Sequence, residues 1–522
     1  MPLATRERMS RVDHAWLRMD NDVNLMMIVG VWLLRPAITH AVLCRRVEER
    51  LLQYPRFRQR VSRDAGGATW IDDDDFDLRR HVVRESLPRG RRGGSREREL
   101  LQARVGELAA TPLDSARPLW QFHLIDHYDG GSALVARVHH CIGDGIALIS
   151  VMLSITDGGA DPPSRGRAAS TRRGQPGSDG GSADEGSEDD GAEADGSDDK
   201  DGPHGSDASD WLADAVLKPL GGLSARAAGL VEDSIERAID ALADPQRGLA
   251  ASLAGARTAG KVLGDVTAMA SMADDSPTRL KGRPCGRKRV AWCDPIALAD
   301  VKAIGKAFGC SINDVLLACV AGAIGDWLRH QGDDPAGQEI RAMVPVNLRP
   351  LDEAWRLGNR FGLAPLVLPI GIAHPLARVF AVRARMAALK ASYQPLLAFA
   401  VLVVAGQMAK PVQDAILGLF AKKATAVMTN VPGPAAPLKF CGSTLEQTMF
   451  WVPASGDIGV GVSILSYGGG VQFGLITDEA LCAEPQTIVD RFGPRFEELL
   501  LLALMLPWEI PRSSRASRLL EA

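Results

Sequence analysis

Apolar positions in the first 157 residues fall into two patterns. Residues 24–34 (NLMMIVGVWLL) and 133–139 (ALVARVH) are short, apolar and bounded by turn-forming or polar residues, as buried strands are. Residues 9–20, 38–52 and 146–155 instead read as helices, the middle one amphipathic and the last apolar. The alternation returns after about residue 280. Strands are predicted at 290–293, 341–346, 363–370, 424–430, 443–452, 458–465 and 471–477. Helices are predicted at 311–329, capped by Ser311 or Asn313, and at 376–390. Gly468-Gly469-Gly470 separates two strand candidates and reads as a hairpin turn.

The intervening stretch is different. Residues 158–207 hold little beyond Gly, Ser, Asp, Glu, Ala, Pro and Arg. Such a segment cannot bury enough apolar surface to offset its ordering entropy, so a disordered acidic insert is expected there. Residues 208–275 are rich in Ala, Leu, Val and Arg, without strand alternation, and are broken near Gly221-Gly222 and Pro245. They read as a helical connector. The chain therefore divides into an α/β unit at 1–157, the insert at 158–207, the connector at 208–275 and a second α/β unit at 276–522. No internal repeat is evident.

Composition narrows the class. The 522 residues suffice for sizeable cores with a buried site between them. Gly and Pro together make 84 residues, too few for a fibrous or wholly disordered chain. The net charge of −4 hides a split. Residues 179–201 carry eleven acids against Lys200, a charge of −10, which leaves +6 on the rest. A mildly basic surface suits anionic headgroups or a phosphate-bearing substrate. The excess is too small to indicate nucleic acid.

The eight cysteines include no CxxC pair, which argues against a disulfide scaffold or zinc ribbon and for a reduced, cytoplasmic chain. The opening residues MPLATRERMSRVDHAW show no apolar core of a secretory signal. Two uncharged runs, 396–406 (LLAFAVLVVAG) and 499–506 (LLLLALML), are too short to span a bilayer. Each reads either as a buried helix or as a helix lying on a membrane surface.

The sharpest chemical feature is His139-His140-Cys141-Ile142-Gly143-Asp144-Gly145, placed where a strand gives way to a helix. Successive strand residues point to opposite faces, so the two histidines cannot serve one site together. That weakens a His-His-Cys metal reading. A neutral imidazole is the usual general base near pH 7. His140 and Asp144 lie four apart across a turn, where the carboxylate can fix local geometry. Gly143 and Gly145 remove side chains where the backbone must turn tightly. The plainer alternative is that Asp144 caps the next helix and the histidines fill core positions. No GxSxG, HExxH or phosphate-binding loop is present, so a covalent acyl-enzyme or an NTPase lacks its signature.

At this point the chain resembles the bacterial wax ester synthase/acyl-CoA:diacylglycerol acyltransferases. The matches are HHxxxDG at 139–145, Pro118-Leu119-Trp120, Asn313-Asp314, MVPVNLRP at 343–350, LGNRFG at 357–362, TNVPGP at 429–434 and VDHAWLRMD at 12–20. HHxxxDG alone is shared with peptide-synthetase condensation domains. The set spans about residues 9–510, interrupted at the acidic insert.

The resemblance implies a two-domain α/β fold of the CoA-dependent acyltransferase, chloramphenicol acetyltransferase-like, type, with the active site at the domain interface. It implies transfer of a long-chain acyl group from acyl-CoA to diacylglycerol, or to a fatty alcohol giving a wax ester. His140 would be the general base and Asp144 mainly structural. His139 belongs to the motif without a defined role, and Gly145 serves its tight turn. Asn313, at a predicted helix N-terminus, is the expected oxyanion donor, or else only a cap. Pro118-Leu119-Trp120 would pack rather than react. Asn347, Arg349, Asn359 and Arg360 would satisfy buried backbone or bind CoA phosphates, and Val431-Pro432-Gly433-Pro434, which reads as a rigid turn, would by the resemblance line the channel between domains. No metal or redox cofactor is expected. Acyl-CoA would be a co-substrate, and the surface of the inner membrane or of lipid droplets the expected location.

Overall fold

The computed structural model describes residues 6–64, 67–88, 94–159, 274–348, 357–390, 398 and 410–506. Apart from their edges, the insert at 158–207 and the connector at 208–275 lie outside these residues. So do Arg349 and all of the run 396–406 except Ala398.

The first half is built on a six-stranded sheet. Its order is β13 (Lys439–Phe440), β14 (Ser443–Trp451), β2 (Met27–Arg35), β7 (Gly131–His139), β6 (Trp120–Tyr128) and β5 (Val82–Ser86). Strand β7 is buried along its whole length, which is why its sequence is nearly continuous in apolar residues. Its side chains still alternate. Leu134, Ala136 and Val138 join a core containing Trp16, while Ala133 and Val135 join another containing Leu101, Val105 and Leu108. Helices α1 (Arg11–Met19), α2 (His40–Glu49), α3 (Leu78–His81), α4 (Gly94–Ala109) and α5 (Gly145–Ser154) belong to this half. A small sheet of β1 (Glu7–Arg8), β4 (Gly67–Asp72) and β3 (Gln59–Asp64) completes it.

The second half holds a seven-stranded sheet. Its order is β11 (Phe361–Leu368), β10 (Ile340–Asn347), β12 (Ala426–Pro432), β15 (Val460–Tyr467), β16 (Gly470–Asp478) and β8 (Lys288–Trp292), with β9 (Ile296–Ala297) also on β16. Helices α6 (Leu298–Phe308), α7 (Ile312–His330), α8 (Pro375–Lys390), α9 (Lys410–Ala421), α10 (Gln486–Val489) and α11 (Phe492–Leu504) belong here. Ser311 caps α7: its hydroxyl accepts from Asp314 N at 3.2 Å and Asp314 Oδ2 accepts from Ser311 N at 2.8 Å, a reciprocal capping box. Gly468 and Gly469, both at positive φ, turn the β15–β16 hairpin.

One feature departs from the linear division at residue 276. Strands β13 and β14 leave the second half and pair with β2, from Thr444 opposite Arg35 to Trp451 opposite Val29. The exchange lets β14 bury Leu445, Met449 and Trp451 on the first half's sheet. A second departure concerns the turn expected at Val431-Pro432-Gly433-Pro434. Val431 and Pro432 are not a turn but the end of β12, paired in parallel with Leu465 and Ser466; the chain leaves the sheet at Gly433. The halves are thus interlocked.

Candidate active site

The site grows from the end of β7. His139 faces Met27 of β2, and the next residue leaves the regular strand with its N–H still donating to Met26 O at 2.7 Å. Side-chain alternation then sends the two rings apart. His139 Nδ1 accepts from Cys141 N at 3.1 Å, so the ring's proton sits on Nε2, which lies 3.5 Å from Asp20 Oδ2. Burial alone would raise the Asp20 carboxyl, but His139 and the Met26 N–H outweigh it and hold it low. His140 turns toward α1. Its ring stacks on Trp16 at 4.2 Å between centroids and 9° between planes, with Phe361 of the second half 5.4 Å away.

His140 is buried, and burial dominates its chemistry. It pushes the imidazole down to about 4, against weaker opposing pulls from its own carbonyl, Asp144 and Asn359. The ring is therefore neutral at physiological pH. Cys141 is also fully buried, and its thiol is pushed well above the usual range, which removes it as a nucleophile. Among the described residues, no group of His, Cys, Asp and Glu is arranged to hold a metal ion.

Asp144 does two structural jobs at once. Oδ1 accepts from Ala147 N at 2.9 Å and caps α5, while Oδ2 accepts from Arg360 N at 3.0 Å across the interface. The backbones are joined as well: Gly358 N donates to Ile142 O at 3.1 Å and Asp144 N to Gly358 O at 3.2 Å. Gly143 and Gly358 form this bridge, and Gly358 has φ +111, a conformation that suits glycine. Asn359 completes the seam by donating Nδ2 to His140 O at 2.7 Å and to the buried Asp13 Oδ1 at 2.7 Å. The HHxxxDG loop is thus stitched to 357–360, a short stretch of the other half.

Beside the loop lies an open apolar cavity, about 930 Å³ with the solvent space at its mouth included. Its walls come from β2 and β7 (Ile28, Trp32, Ala136, Val138), from α5 (Gly145, Leu148, Met152), from β14, and from Val431, Pro432, Gly433 and Pro434. Gly145 is its link to the motif, because a Cβ there would meet nothing within 4 Å. His140 itself is not in the lining, and neither are its ring neighbours Trp16 and Phe361. Asn313 is the second residue of α7, and its Oδ1 accepts from Asn430 Nδ2 at 2.9 Å. Asn430 immediately precedes the cavity wall, but no described contact joins Asn313 to either histidine. Trp120 packs, as expected: its indole donates to Phe57 O and stacks on His81.

Asn359 satisfies a buried backbone group, the His140 carbonyl, as expected, while Trp16 and Phe361 against the His140 ring and Asp13, linked to His140 through Asn359, are not foreseen from the sequence. One signal for Asp13 and Trp16 was present. Asp13 and Trp16 are three apart and both buried, so a carboxylate shares the inward face of α1 with an indole.

Two family models match the chain: the wax ester synthase/diacylglycerol acyltransferase catalytic domain over residues 9–316 and the WS/DGAT C-terminal domain over 357–500. The chain belongs to the wax ester synthase/diacylglycerol acyltransferase family. Two relatives from Mycobacterium tuberculosis strain H37Rv agree in name. The probable diacylglycerol O-acyltransferase tgs1 is 26% identical over 447 residues, covering 84% of this chain and 82% of that protein. The probable diacylglycerol O-acyltransferase tgs2 is 26% identical over 433 residues, covering 81% and 82%. Among solved structures, the wax ester synthase/diacylglycerol acyltransferase of Marinobacter aquaeolei VT8 superposes with a TM-score of 0.58 at 20% identity, covering 95% of this chain and all of that one. The first condensation domain of the calcium-dependent antibiotic synthetase gives 0.52 at 14% identity, over 96% and 97%. These likenesses establish the two-domain acyltransferase fold. Membership in the family makes this WS/DGAT chain an acyl-CoA-dependent acyltransferase.

Proposed function

We propose that this WS/DGAT protein transfers a long-chain acyl group from acyl-CoA to diacylglycerol, with His140 as the general base. The observation that carries the reading is a buried, neutral imidazole held at the seam of the two halves, beside a cavity whose lining is almost wholly apolar. His140 takes the acceptor's hydroxyl proton as that oxygen attacks the thioester carbonyl. The tetrahedral intermediate collapses, the C–S bond breaks, and the CoA thiolate leaves with the proton from the imidazolium. No acyl-enzyme forms. Asn313 is the proposed oxyanion donor: its Oδ1 is engaged by Asn430, which leaves the amide N–H groups for an anion.

Diacylglycerol is favoured as acceptor by the names of the mycobacterial relatives. Fatty alcohol, giving a wax ester, is the second reading; the name of the Marinobacter structure carries both activities. Acyl-CoA serves as substrate, and no resident cofactor is invoked. We place the protein in the cytoplasm, peripherally on the inner membrane or lipid droplets. No single described helix is long and apolar enough to cross a membrane. Support comes instead from the end of α11, where Leu501, Leu504 and Met505 are 61%, 60% and 74% exposed. Flotation with anionic liposomes tests this, and protein left wholly in the soluble fraction contradicts it. Parallel turnover of palmitoyl-CoA with diacylglycerol and with hexadecanol tests the acceptor.

A further inference from the structure

Three glycines line the apolar cavity, and they are not there for the same reason. At Gly433 a Cβ would stand 2.4 Å from Ser466 O, so close packing excludes a side chain. At Gly145, the first residue of α5, it would meet nothing within 4 Å. Gly30 is the informative one. It lies in the middle of β2, where glycine weakens a strand. Its φ is outside the left-handed region, so the backbone does not require glycine. Packing does not require it either. A Cβ would meet its nearest atoms, Met449 O, Phe450 Cβ and Ala136 Cβ, at 3.7, 3.9 and 4.0 Å, which are ordinary contacts. What a side chain at Gly30 would take up is the cavity.

Strand alternation gives the direction. Ile28, Gly30 and Trp32 face the cavity, whereas Val29 and Val31 join the core of Leu101 and Val105 on the other side. Across the sheet Gly30 pairs with Ala136, which also faces the cavity. The two smallest side chains of the wall thus stand opposite each other. The register also gives a scale. Met27 pairs with His139 of the motif, Gly30 lies three residues further along β2, and Trp32 five. At about 3.3 Å per residue these are about 10 Å and about 17 Å from the motif. The far end is closed by Trp32, whose ring meets the Phe440 ring edge-on at 5.2 Å. With C–C bonds near 1.5 Å, a saturated chain advances about 1.3 Å per carbon, so a hexanoyl group reaches about 6 Å and a palmitoyl group about 19 Å. The first stops short of Gly30. The second passes it and arrives at Trp32.

The wall also indicates whose chain this is. Val431 of the lining follows Asn430, which binds Asn313. The oxyanion forms on the acyl carbonyl, so the chain attached to that carbonyl lies beside this wall. Resting on the acyl-transfer reading with Asn313 as oxyanion donor, we propose that Gly30 and Ala136 set the acyl-chain length the enzyme accepts. Their missing bulk opens the cavity to donor chains longer than about eight carbons, and Trp32 is its floor.

The test is turnover by full-length protein of palmitoyl-CoA and hexanoyl-CoA, with diacylglycerol as the fixed acceptor. Gly30→Leu and Ala136→Leu are each expected to lower the palmitoyl-to-hexanoyl ratio of kcat/KM at least tenfold. Gly30→Ala, whose Cβ fits without a clash, is expected to lower it about threefold. A second series holds hexanoyl-CoA fixed and compares hexadecanol with hexanol. There the ratio for each variant is expected to stay within twofold of wild type. A palmitoyl-to-hexanoyl ratio within twofold of wild type in both leucine variants, each melting within a few degrees of it, overturns the proposal. If the leucine variants melt far below wild type, an unchanged ratio in Gly30→Ala overturns it. A shift confined to the alcohol series gives the cavity to the acceptor and overturns it too. Wild type that forms no ester from any donor would instead overturn the acyl-transfer reading, a separate result.

Discussion

Removing the Asp144 carboxylate gives a magnitude that can be built from its contacts. Asp144→Ala deletes the cap on α5, whose Oδ1 accepts from Ala147 N at 2.9 Å. Loss of such a cap costs about 1 kcal/mol. It also leaves Arg360 N, bonded to Oδ2 at 3.0 Å, without that acceptor at the interface. Leaving this part-buried N–H unsatisfied costs about 2 kcal/mol. The sum is about 3 kcal/mol. At a urea slope of about 3 kcal/mol per M, the unfolding midpoint should fall by about 1 M. Asp144→Asn separates the two contributions. Its amide oxygen can serve one of the two N–H groups, while its NH₂ now faces the other. The expected loss is therefore about one-third to two-thirds of that for alanine. The assay is urea unfolding followed by tryptophan fluorescence, with turnover measured in parallel. Midpoints for both variants within 0.1 M of wild type would refute the double-cap argument. Equal losses for Asn and Ala would show that the two contacts do not contribute separately.

Three further outcomes follow from the same geometry. His140 is held at about 4 by burial, below its unfolded value of 6.5, so acidification protonates the unfolded chain first and stability falls as pH drops from 6.5 toward 4. Relative to His140→Gln, wild type should lose about 3 kcal/mol between pH 7 and 4, and an unchanged difference would mean the ring is not held neutral. Asp13 runs the other way: burial lifts it to about 6, so its contribution is complete below pH 3.8 and is lost as pH rises through 6. Wild type should show a smaller net pH dependence than Asp13→Leu across pH 4–6, and equal slopes would contradict the raised carboxyl. Gly145 opens the third test, since a side chain there projects into the cavity. Gly145→Ala should stabilise by about 0.5 kcal/mol with activity retained, whereas Gly145→Leu should stay folded and lose turnover of long acyl chains; equal turnover in both would detach the cavity from the substrate.

Much of the fold was legible because its signals are local. Strand β7 and helix α5 flank the histidine motif, and both follow from short apolar runs with a turn between them. The capping residue of α7 was narrowed to two candidates, and Ser311 takes the role because Asp314 lies three residues on to complete the box. The exchange of β13 and β14 was not legible. A strand's alternation gives its faces but not its partner, and nothing in residues 443–452 says which sheet they join. The end of β12 departs from the sequence expectation for a related reason. Pro432 suggests a turn, but a strand's last residues tolerate proline where no ladder N–H is needed.

At the site, the motif located the histidines, and alternation separated their directions, which the structure confirms through Asp20 for one ring and Trp16 for the other. What the sequence could not supply was the company His140 keeps. Trp16 and Phe361 are 345 positions apart in the chain, yet their rings lie 5.6 Å from each other. Asp13 and Asn359 are separated by 346 positions and hydrogen-bonded. Such pairs are set by how the two halves dock, and no spacing rule along the chain encodes that.

The central claim is that His140 moves the proton in an acyl transfer from CoA to an apolar alcohol. Its most direct test is radiolabelled palmitoyl-CoA turnover with diacylglycerol and hexadecanol in parallel, comparing wild type with His140→Ala. Ester from wild type, a loss of at least a hundredfold in the folded variant, and more triacylglycerol than wax ester are the expected result. A folded His140→Ala protein that makes ester at the wild-type rate would contradict it.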